Sequence, residues 1–271
     1  PISLICVDTK LLSKLIAHRV KKVLYKCVSQ EQYCGKEKSI VECNNTTRDL
    51  FYYINENKET GALINIDLQK AFDSVDHSFL FKVMRQMGFS DTLIGWIKIL
   101  YKDIMSICLV NGHQGDAFKV KRGVRQGCPL SMIMYVIAQE PLYQAIKKTQ
   151  QIKSINTPCK EIKLLGFADD SSFFVKSDIS IVYIFTILKH FELASSIKLN
   201  INKTKIIGFG NWQGRTQWPY ADIKVEISDI SILGITYAHS LDHAVDISWS
   251  NIVEKMRQRI RILSQRSFTI F

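Results

Sequence analysis

At 271 residues the chain is long enough to bury a full core, as one large domain or two coupled lobes. Its hydrophobic fraction of 46% is that of a soluble globular protein, and no apolar run is long enough to cross a bilayer. Lys and Arg outnumber Asp and Glu by 36 to 25, and the net charge of +11 points to polyanionic partners, nucleic acid ahead of a membrane surface.

The seven cysteines (Cys6, Cys27, Cys34, Cys43, Cys108, Cys128 and Cys159) are scattered and odd in number. None forms a C-x-x-C pair and no His/Cys group has zinc spacing, so they fit a reduced intracellular compartment. His239 and His243 stand four apart with nothing nearby to complete a metal site, which makes them surface or packing histidines. The chain begins at Pro1 rather than Met and stops abruptly at Phe271, so it reads as a piece of something longer.

Taken in order, Leu12, Leu15, Ile16, Val20, Val23 and Leu24 recur at helical spacing over residues 9–25, beside Arg19, Lys21, Lys22 and Lys26. A looser segment follows through Gly35, then a helix expected from Thr46 or Thr47 to Asn57. ALINID (62–67) is a short apolar run, a buried strand that ends in an acid. Residues 78–87 place Phe79, Leu80, Val83, Met84 and Met87 on one helical face, with Gly88 suited to the position just past its end. Ser90 can cap the next helix, through Tyr101.

SICLV (106–110), Asn111-Gly112 and AFKV (117–120) suggest a hairpin. The Gly-containing basic stretch KRGVRQGCP (121–129) leads into a helix of roughly twenty residues, with Pro129 placed for its first turn. A further helix is expected over 180–196, a strand at KIIGFG (205–210), and a hairpin from KVEI and ISILGITY (224–237). The most loop-like stretch is 211–222, and the tail from Ile247 is helical and basic, with Lys255, Arg257, Arg259, Arg261 and Arg266. This order favours an α+β architecture with an antiparallel sheet packed on helices.

The chemistry centres on LLGFADDSSFFV (164–175), two apolar arms around adjacent acids, Asp169 and Asp170. The pattern reads as a hairpin with the acids at its tip. Each carboxylate raises the cost of ionising the other, and a divalent cation removes that cost. A plain hairpin turn, where Asp and Ser are favoured anyway, accounts for the same residues. Asp67 closes the predicted strand at 62–67; if the two strands are neighbours, three carboxylates converge at one sheet edge. That is the donor set a two-metal phosphoryl-transfer site needs.

Seven stretches, in collinear order across nearly the whole chain, resemble the reverse transcriptases of non-LTR (LINE-type) retrotransposons. PISLICVDTKLLSKLIAHRVKKVL (1–24) resembles the entry to their fingers, NIDLQKAFDSVDH (65–77) their first palm motif and RGVRQGCPLS (122–131) their second. GFADD (166–170) resembles the third, LNINKTK (199–205) the fourth, ISILGI (230–235) the fifth, or primer grip, and WSNIVEKMRQRI (249–260) the start of the thumb. The resemblance implies a right-hand polymerase fold: partial fingers over 1–60, a palm over 61–237 with a finger-like insertion near 106–125, and the start of a truncated thumb over 238–271.

The same resemblance implies roles. Asp67 and Asp169 would be the main ligands of two Mg²⁺ ions, for which Mn²⁺ can substitute, with Asp170 auxiliary and the Leu68 carbonyl completing a shell. Phe72 aligns with the aromatic gate that excludes a ribose 2′-OH, the alternative being an ordinary core Phe. Gln126 and Gly127 match the loop that contacts incoming nucleotide and template, and Asn200 would position the fourth-motif loop. Lys203 aligns with a lysine proposed to protonate or neutralise departing pyrophosphate; a solvated strand-edge lysine is the plainer reading. Leu233 and Gly234 would support the primer by backbone contact. Arg122, Arg125, Lys255 and Arg259 would neutralise nucleic-acid phosphates without regard to sequence.

Departures from the family pattern are Cys34-Gly35 and Lys38 in place of Gly-Phe and an Arg, Met132 after Ser131 in place of Pro, and the start of the chain just after the position of a fingers Arg. The implied partners are an RNA template, a DNA primer or target, dNTPs, and other domains of a parent polyprotein such as an endonuclease; no membrane is implied, and cytoplasm and nucleus are the expected compartments. A catalytically inactive nucleic-acid-binding relic, or a related group II intron-type enzyme, would carry many of the same residues. A viral RNA-making polymerase fits Phe72 poorly.

Overall fold

The computed structural model describes residues 3–35, 38–219, 223–238 and 240–264. Helix α1 (Val7–Cys27) buries Ile16, Ala17, Val20 and Leu24 along one face and turns Lys14, Arg19, Lys21 and Lys22 outward. Helix α2 (Ile40–Glu56) starts earlier than the apolar periodicity predicts. The Ser39 side chain accepts from the Glu42 amide, in the Ser-x-x-Glu order of a capping box. Ile40 and Val41 are exposed, so burial gives no hint of that first turn.

Strand β1 (Gly61–Ile66) is buried at every position. After it come the two-residue β2 (Leu68–Gln69), the single turn α3 (Ala71–Ser74), α4 (His77–Gln86) and α5 (Asp91–Tyr101). Asp76 caps α4 and Ser90 caps α5, while Gly88 follows α4 at φ +84. A hairpin of β3 (Met105–Val110) and β4 (His113–Lys119) turns at Asn111-Gly112, whose φ angles of 49 and 82 suit a right-twisted two-residue turn.

The long helix α6 (Ser131–Lys148) runs through the middle of the core, with Ile133 to Glu140 buried without a break. Pro129 lies in the turn ahead of this helix rather than in its first turn. A small ribbon, β5 (Ile155–Asn156) with β6 (Glu161–Ile162), precedes the hairpin β7 (Leu164–Phe167) and β8 (Asp170–Val175). Then follow α7 (Asp178–Ser195), β9 (Lys198–Leu199), a 3₁₀ turn at Ile201–Lys203 and β10 (Lys205–Phe209). Last come β11 (Lys224–Glu226), β12 (Asp229–Ile232), β13 (Ile235–Ala238) and α8 (Leu241–Ser264).

The main sheet has five strands in the order β11-β10-β1-β8-β7. All neighbours run antiparallel except β10 and β11, which are parallel. The reading of 224–237 as one hairpin is corrected here: β12 and β13 pair with each other, while β11 joins the main sheet. Three residues at the start of that stretch carry too little alternation to distinguish an edge strand from a hairpin arm.

Both faces of the sheet are covered, as alternation along β1 requires. Ala62, Ile64 and Ile66 join the core built with α1, α4, α6 and α7, while Leu63 joins the core under α2 and the β12–β13 hairpin. On α8, Val245, Trp249, Ile252, Met256, Ile260 and Leu263 form an exposed apolar stripe. No helix among the described residues is long and apolar enough to cross a membrane.

Candidate active site

β1 lies between β8 and β10, and its register against β8 sets Ile66 opposite Ser171. One residue further along each strand stand Asp67 and Asp170, so two acids from distant parts of the chain meet at one end of the sheet. Asp169 is added by the turn: Phe167 pairs with Asp170, leaving Ala168 and Asp169 as its two central residues. Ala168 has φ +56, a left-handed conformation that a residue with a Cβ resists.

Asp169 and Asp170 sense the neighbouring acids. Burial pushes Asp169 above the ordinary carboxylate range; its own backbone amide opposes this, and the charge on Asp67 adds to the rise. Asp170 is pushed up to about 6, by burial first and then by the charges of Asp169 and Asp67. Carboxylate oxygens gathered at one sheet end are hard donors of the kind a divalent cation such as Mg²⁺ prefers. Among the described residues, no group of three or more His, Cys, Asp or Glu side chains is placed so that it could hold a metal ion, Asp67, Asp169 and Asp170 included. Leu68 follows Asp67 and is paired with Leu199, which keeps its backbone at the same sheet end.

Asn200 is bound to Asp67 twice. Its backbone amide donates to the Asp67 carbonyl at 2.8 Å, and its side-chain amide donates to Asp67 Oδ2 at 2.8 Å. Lys203 closes the following 3₁₀ turn and is exposed, with its backbone amide donating to the Asn200 carbonyl.

Phe72 sits in α3 with its ring stacked on Tyr135 of α6, centroids 4.6 Å apart. The loop 121–130 docks on the same turn: the Val124 amide donates to the Phe72 carbonyl at 2.6 Å and the Gly123 amide to the Val75 carbonyl at 2.8 Å. Only glycine fits at 123, because an added Cβ would lie 2.6 Å from the Asp73 carbonyl oxygen and φ is +92. Gln126 is half-buried, its carbonyl accepting from the Ser3 amide, and Gly127 is exposed.

The basic residues divide. Arg122 is exposed, whereas Arg125 is folded inward, donating to the Leu100 carbonyl at 3.0 Å with its guanidinium over the Tyr101 ring. Lys255, Arg257, Arg259 and Arg261 are exposed on α8, and Arg266 and His239 lie outside the described residues. Leu233 and Gly234 form the β12–β13 turn with φ of 50 and 82, at a separate hairpin beside the sheet. Lys38 donates to the Gln30 carbonyl at 2.7 Å and lies over the Tyr33 ring.

Reading the sequence missed a polar group behind the acidic turn. Tyr135, Gln139 and Tyr143 stand four apart on α6, and Gln139 and Tyr143 both bond Ser171 Oγ, at 3.2 Å and 2.7 Å. Polar residues repeating every fourth position in an otherwise apolar helix were the available signal.

A central antiparallel sheet backed by helices, with acids at the end of one strand and at a neighbouring hairpin turn, defines a polymerase palm of the right-hand class. The chain belongs to the reverse transcriptase (RNA-dependent DNA polymerase) family, which it matches over residues 1–237. Among curated relatives, the transposon TX1 uncharacterized 149 kDa protein of Xenopus laevis is 26% identical over 262 residues, covering 96% of this chain and 20% of the relative. A type-1 retrotransposable element R2 Pol polyprotein of Popillia japonica is 30% identical over 123 residues, covering 45% of this chain and 20% of that protein. The chain thus spans about a fifth of the length of these relatives. Telomerase structures from Candida albicans and Candida tropicalis share the fold, with TM-scores of 0.53 and 0.54 at 13% identity, over 85% of this chain and 36% of each of theirs.

Proposed function

We propose that this chain is the RNA-directed DNA polymerase portion of a retrotransposon polyprotein, extending a primer 3′-OH with dNTPs on an RNA template. The observation that carries the reading is the meeting of Asp67, Asp169 and Asp170 at one sheet end, with the carboxyl groups of Asp169 and Asp170 raised by burial and by neighbouring charge. Two Mg²⁺ ions held by these acids, with the Leu68 carbonyl, would activate the attacking hydroxyl and stabilise the leaving oxygen.

The chain's own residues do the rest. Asn200 holds Asp67 at backbone and side chain, fixing the direction of that carboxylate. Phe72, braced by Tyr135, presents a rigid ring with no hydrogen-bonding group where a ribose 2′-OH would sit, favouring dNTPs. The loop held to α3 by Gly123 and Val124 carries Gln126 and Gly127 toward nucleotide and template. Lys203 is free to reach pyrophosphate, and Leu233 and Gly234 present backbone to the primer. Arg122, Lys255 and Arg259 supply salt-sensitive attraction to phosphates.

In this reading 1–60 is part of the fingers, 61–237 the palm with an insertion near 106–125, and 238–271 the beginning of a thumb. The reaction would take place inside the cell, on cytoplasmic or nuclear templates, with an endonuclease elsewhere in the polyprotein supplying the primer end.

Primer extension on an RNA template with dNTPs and Mg²⁺, beside an Asp169→Ala control, tests the reading. Incorporation that the substitution abolishes is expected. RNA binding without incorporation would instead identify a relic that only binds nucleic acid.

A further inference from the structure

Ala168 is the weak point of the acidic turn. It is not glycine, yet it has φ +56, and the direction of Asp169 and Asp170 depends on its keeping that conformation. Its peptide groups are held by a residue far away in sequence. Gln32, only 1% exposed, accepts from the Ala168 amide at 3.1 Å through Oε1 and donates to the Ala168 carbonyl at 3.2 Å through Nε2. One side-chain amide thus satisfies both backbone polar groups of the left-handed residue, as a paired strand would.

The clamp is itself fixed. Oε1 also accepts from the Cys34 amide at 2.9 Å, and Nε2 also donates to Gln139 Oε1 at 3.0 Å. The backbone on either side of Gln32 is tied to the same hairpin, with the Tyr33 amide donating to the Gly166 carbonyl at 2.8 Å and the Gly166 amide to the Glu31 carbonyl at 2.9 Å. Gln139 continues to Ser171 Oγ on the far side of the acids. The turn is therefore gripped at 166, 168 and 171 by buried groups; at the strained residue Gln32 bonds both peptide groups, and the Cys34 thiol also meets the Ala168 backbone.

We propose that Gln32 is a positioning residue for polymerisation: its side-chain amide keeps Ala168 left-handed and so sets where the Asp169 and Asp170 carboxylates point. This rests on the polymerase reading above. A side chain with only an acceptor, or only a donor, could bind one Ala168 group but not both. The geometry also makes a specific demand: if holding the left-handed backbone is the role of Gln32, a residue that adopts it unaided should make Gln32 less necessary. Glycine is that residue.

The test is a double-mutant cycle in RNA-templated primer extension using the unsubstituted protein, Gln32→Ala, Ala168→Gly and the double variant. Gln32→Ala should lower kcat by about 100-fold, the scale expected when reacting groups are misplaced by about 1 Å. KM for dNTP should stay within about threefold, since the nucleotide-contacting loop is untouched. With Ala168→Gly already present, the same Gln32→Ala change should cost about tenfold less. Equal losses in both backgrounds, or no loss at all, would overturn the proposal.

Hydrogen exchange provides a readout independent of activity. The Asp169 and Asp170 amides should exchange about tenfold faster in Gln32→Ala, while those of α7 are unchanged. General acceleration would mean a folding defect and count against positioning; Gln32→Met, which nearly preserves the volume and removes both the amide donor and the amide acceptor without adding charge, should then reproduce the local effect, and general acceleration there too would overturn the proposal. Failure of the unsubstituted protein to incorporate dNTPs would reject the polymerase reading, and exchange would still decide whether Gln32 holds the turn.

Discussion

Asp170→Asn should stabilise the metal-free protein while disabling it. Asp170 titrates at about 6 in the folded chain against its ordinary 3.8. A folded-state value above the unfolded one means that folding favours the protonated form. The associated stability is fully present below about pH 3.8 and is lost as pH rises through about 6. At 1.36 kcal/mol per pH unit, the ionised carboxylate would cost at most about 3 kcal/mol at neutral pH. Asp170 is exposed to solvent, so screening reduces the expected cost to about 1–2 kcal/mol.

Asparagine keeps the shape and removes the charge. In urea unfolding with a chelator present, the variant should therefore gain about 1–2 kcal/mol over the parent near pH 7.5 and almost nothing near pH 4. Mg²⁺ should narrow the difference: tenfold above its dissociation constant it would stabilise the parent by about 1.4 kcal/mol and the variant by less. A variant no more stable than the parent at neutral pH, or equally favoured at both, would refute the account of these acids as a strained cluster awaiting cations.

Three further outcomes follow from side-chain placement. Arg122→Ala should lower the salt dependence of RNA binding by about one ion, whereas Arg125→Ala should leave that slope unchanged and cost about 1–3 kcal/mol in urea unfolding, because it abandons the Leu100 carbonyl. Phe72→Val should raise rNTP use relative to dNTP by about tenfold or more in competition assays, and an unchanged ratio would remove Phe72 from the gate. Gly166→Ala would place a Cβ 1.8 Å from Tyr143 Oη and 2.8 Å from Cζ, so a loss of about 3 kcal/mol or more is expected by urea unfolding. Tyr143→Phe should not rescue it, because the ring carbon remains in the way.

The elements with strong periodicity were legible in the sequence: α1, α4, α5 and β1 lie where the apolar pattern places them, within a residue or two at their ends. The acidic hairpin forms, but its second strand begins at Asp170 rather than Phe173, so the turn is Ala168–Asp169 and not the acidic pair. Legibility failed where local signals were short or were overridden. The first turn of α2 is set by the Ser39–Glu42 cap while its apolar residues face solvent. The pairing of β11 with β10 is a long-range choice that three residues cannot announce. At the site, the acids could be read because their type and position carry the chemistry. The inward turn of Arg125 and the Gln32 amide could not be, since both depend on partners brought close only by the fold.

The position of β1 has a consequence for how the protein is made. It is the central strand, yet both of its neighbours lie far downstream: Ile66 is synthesised about a hundred residues before Val175, the end of β8, and β10 follows later still. At ribosomal rates of about 5–20 residues per second, roughly 5–20 s pass in which a mostly apolar strand has both edges unpaired. Of the described elements, α1 and α2 precede it in the chain, and an uncovered strand with two free edges invites pairing with other nascent chains. Slowing translation between residues 67 and 175 should lengthen that exposure and lower the soluble yield, whereas the same slowing after residue 210, when both neighbours have been made, should not.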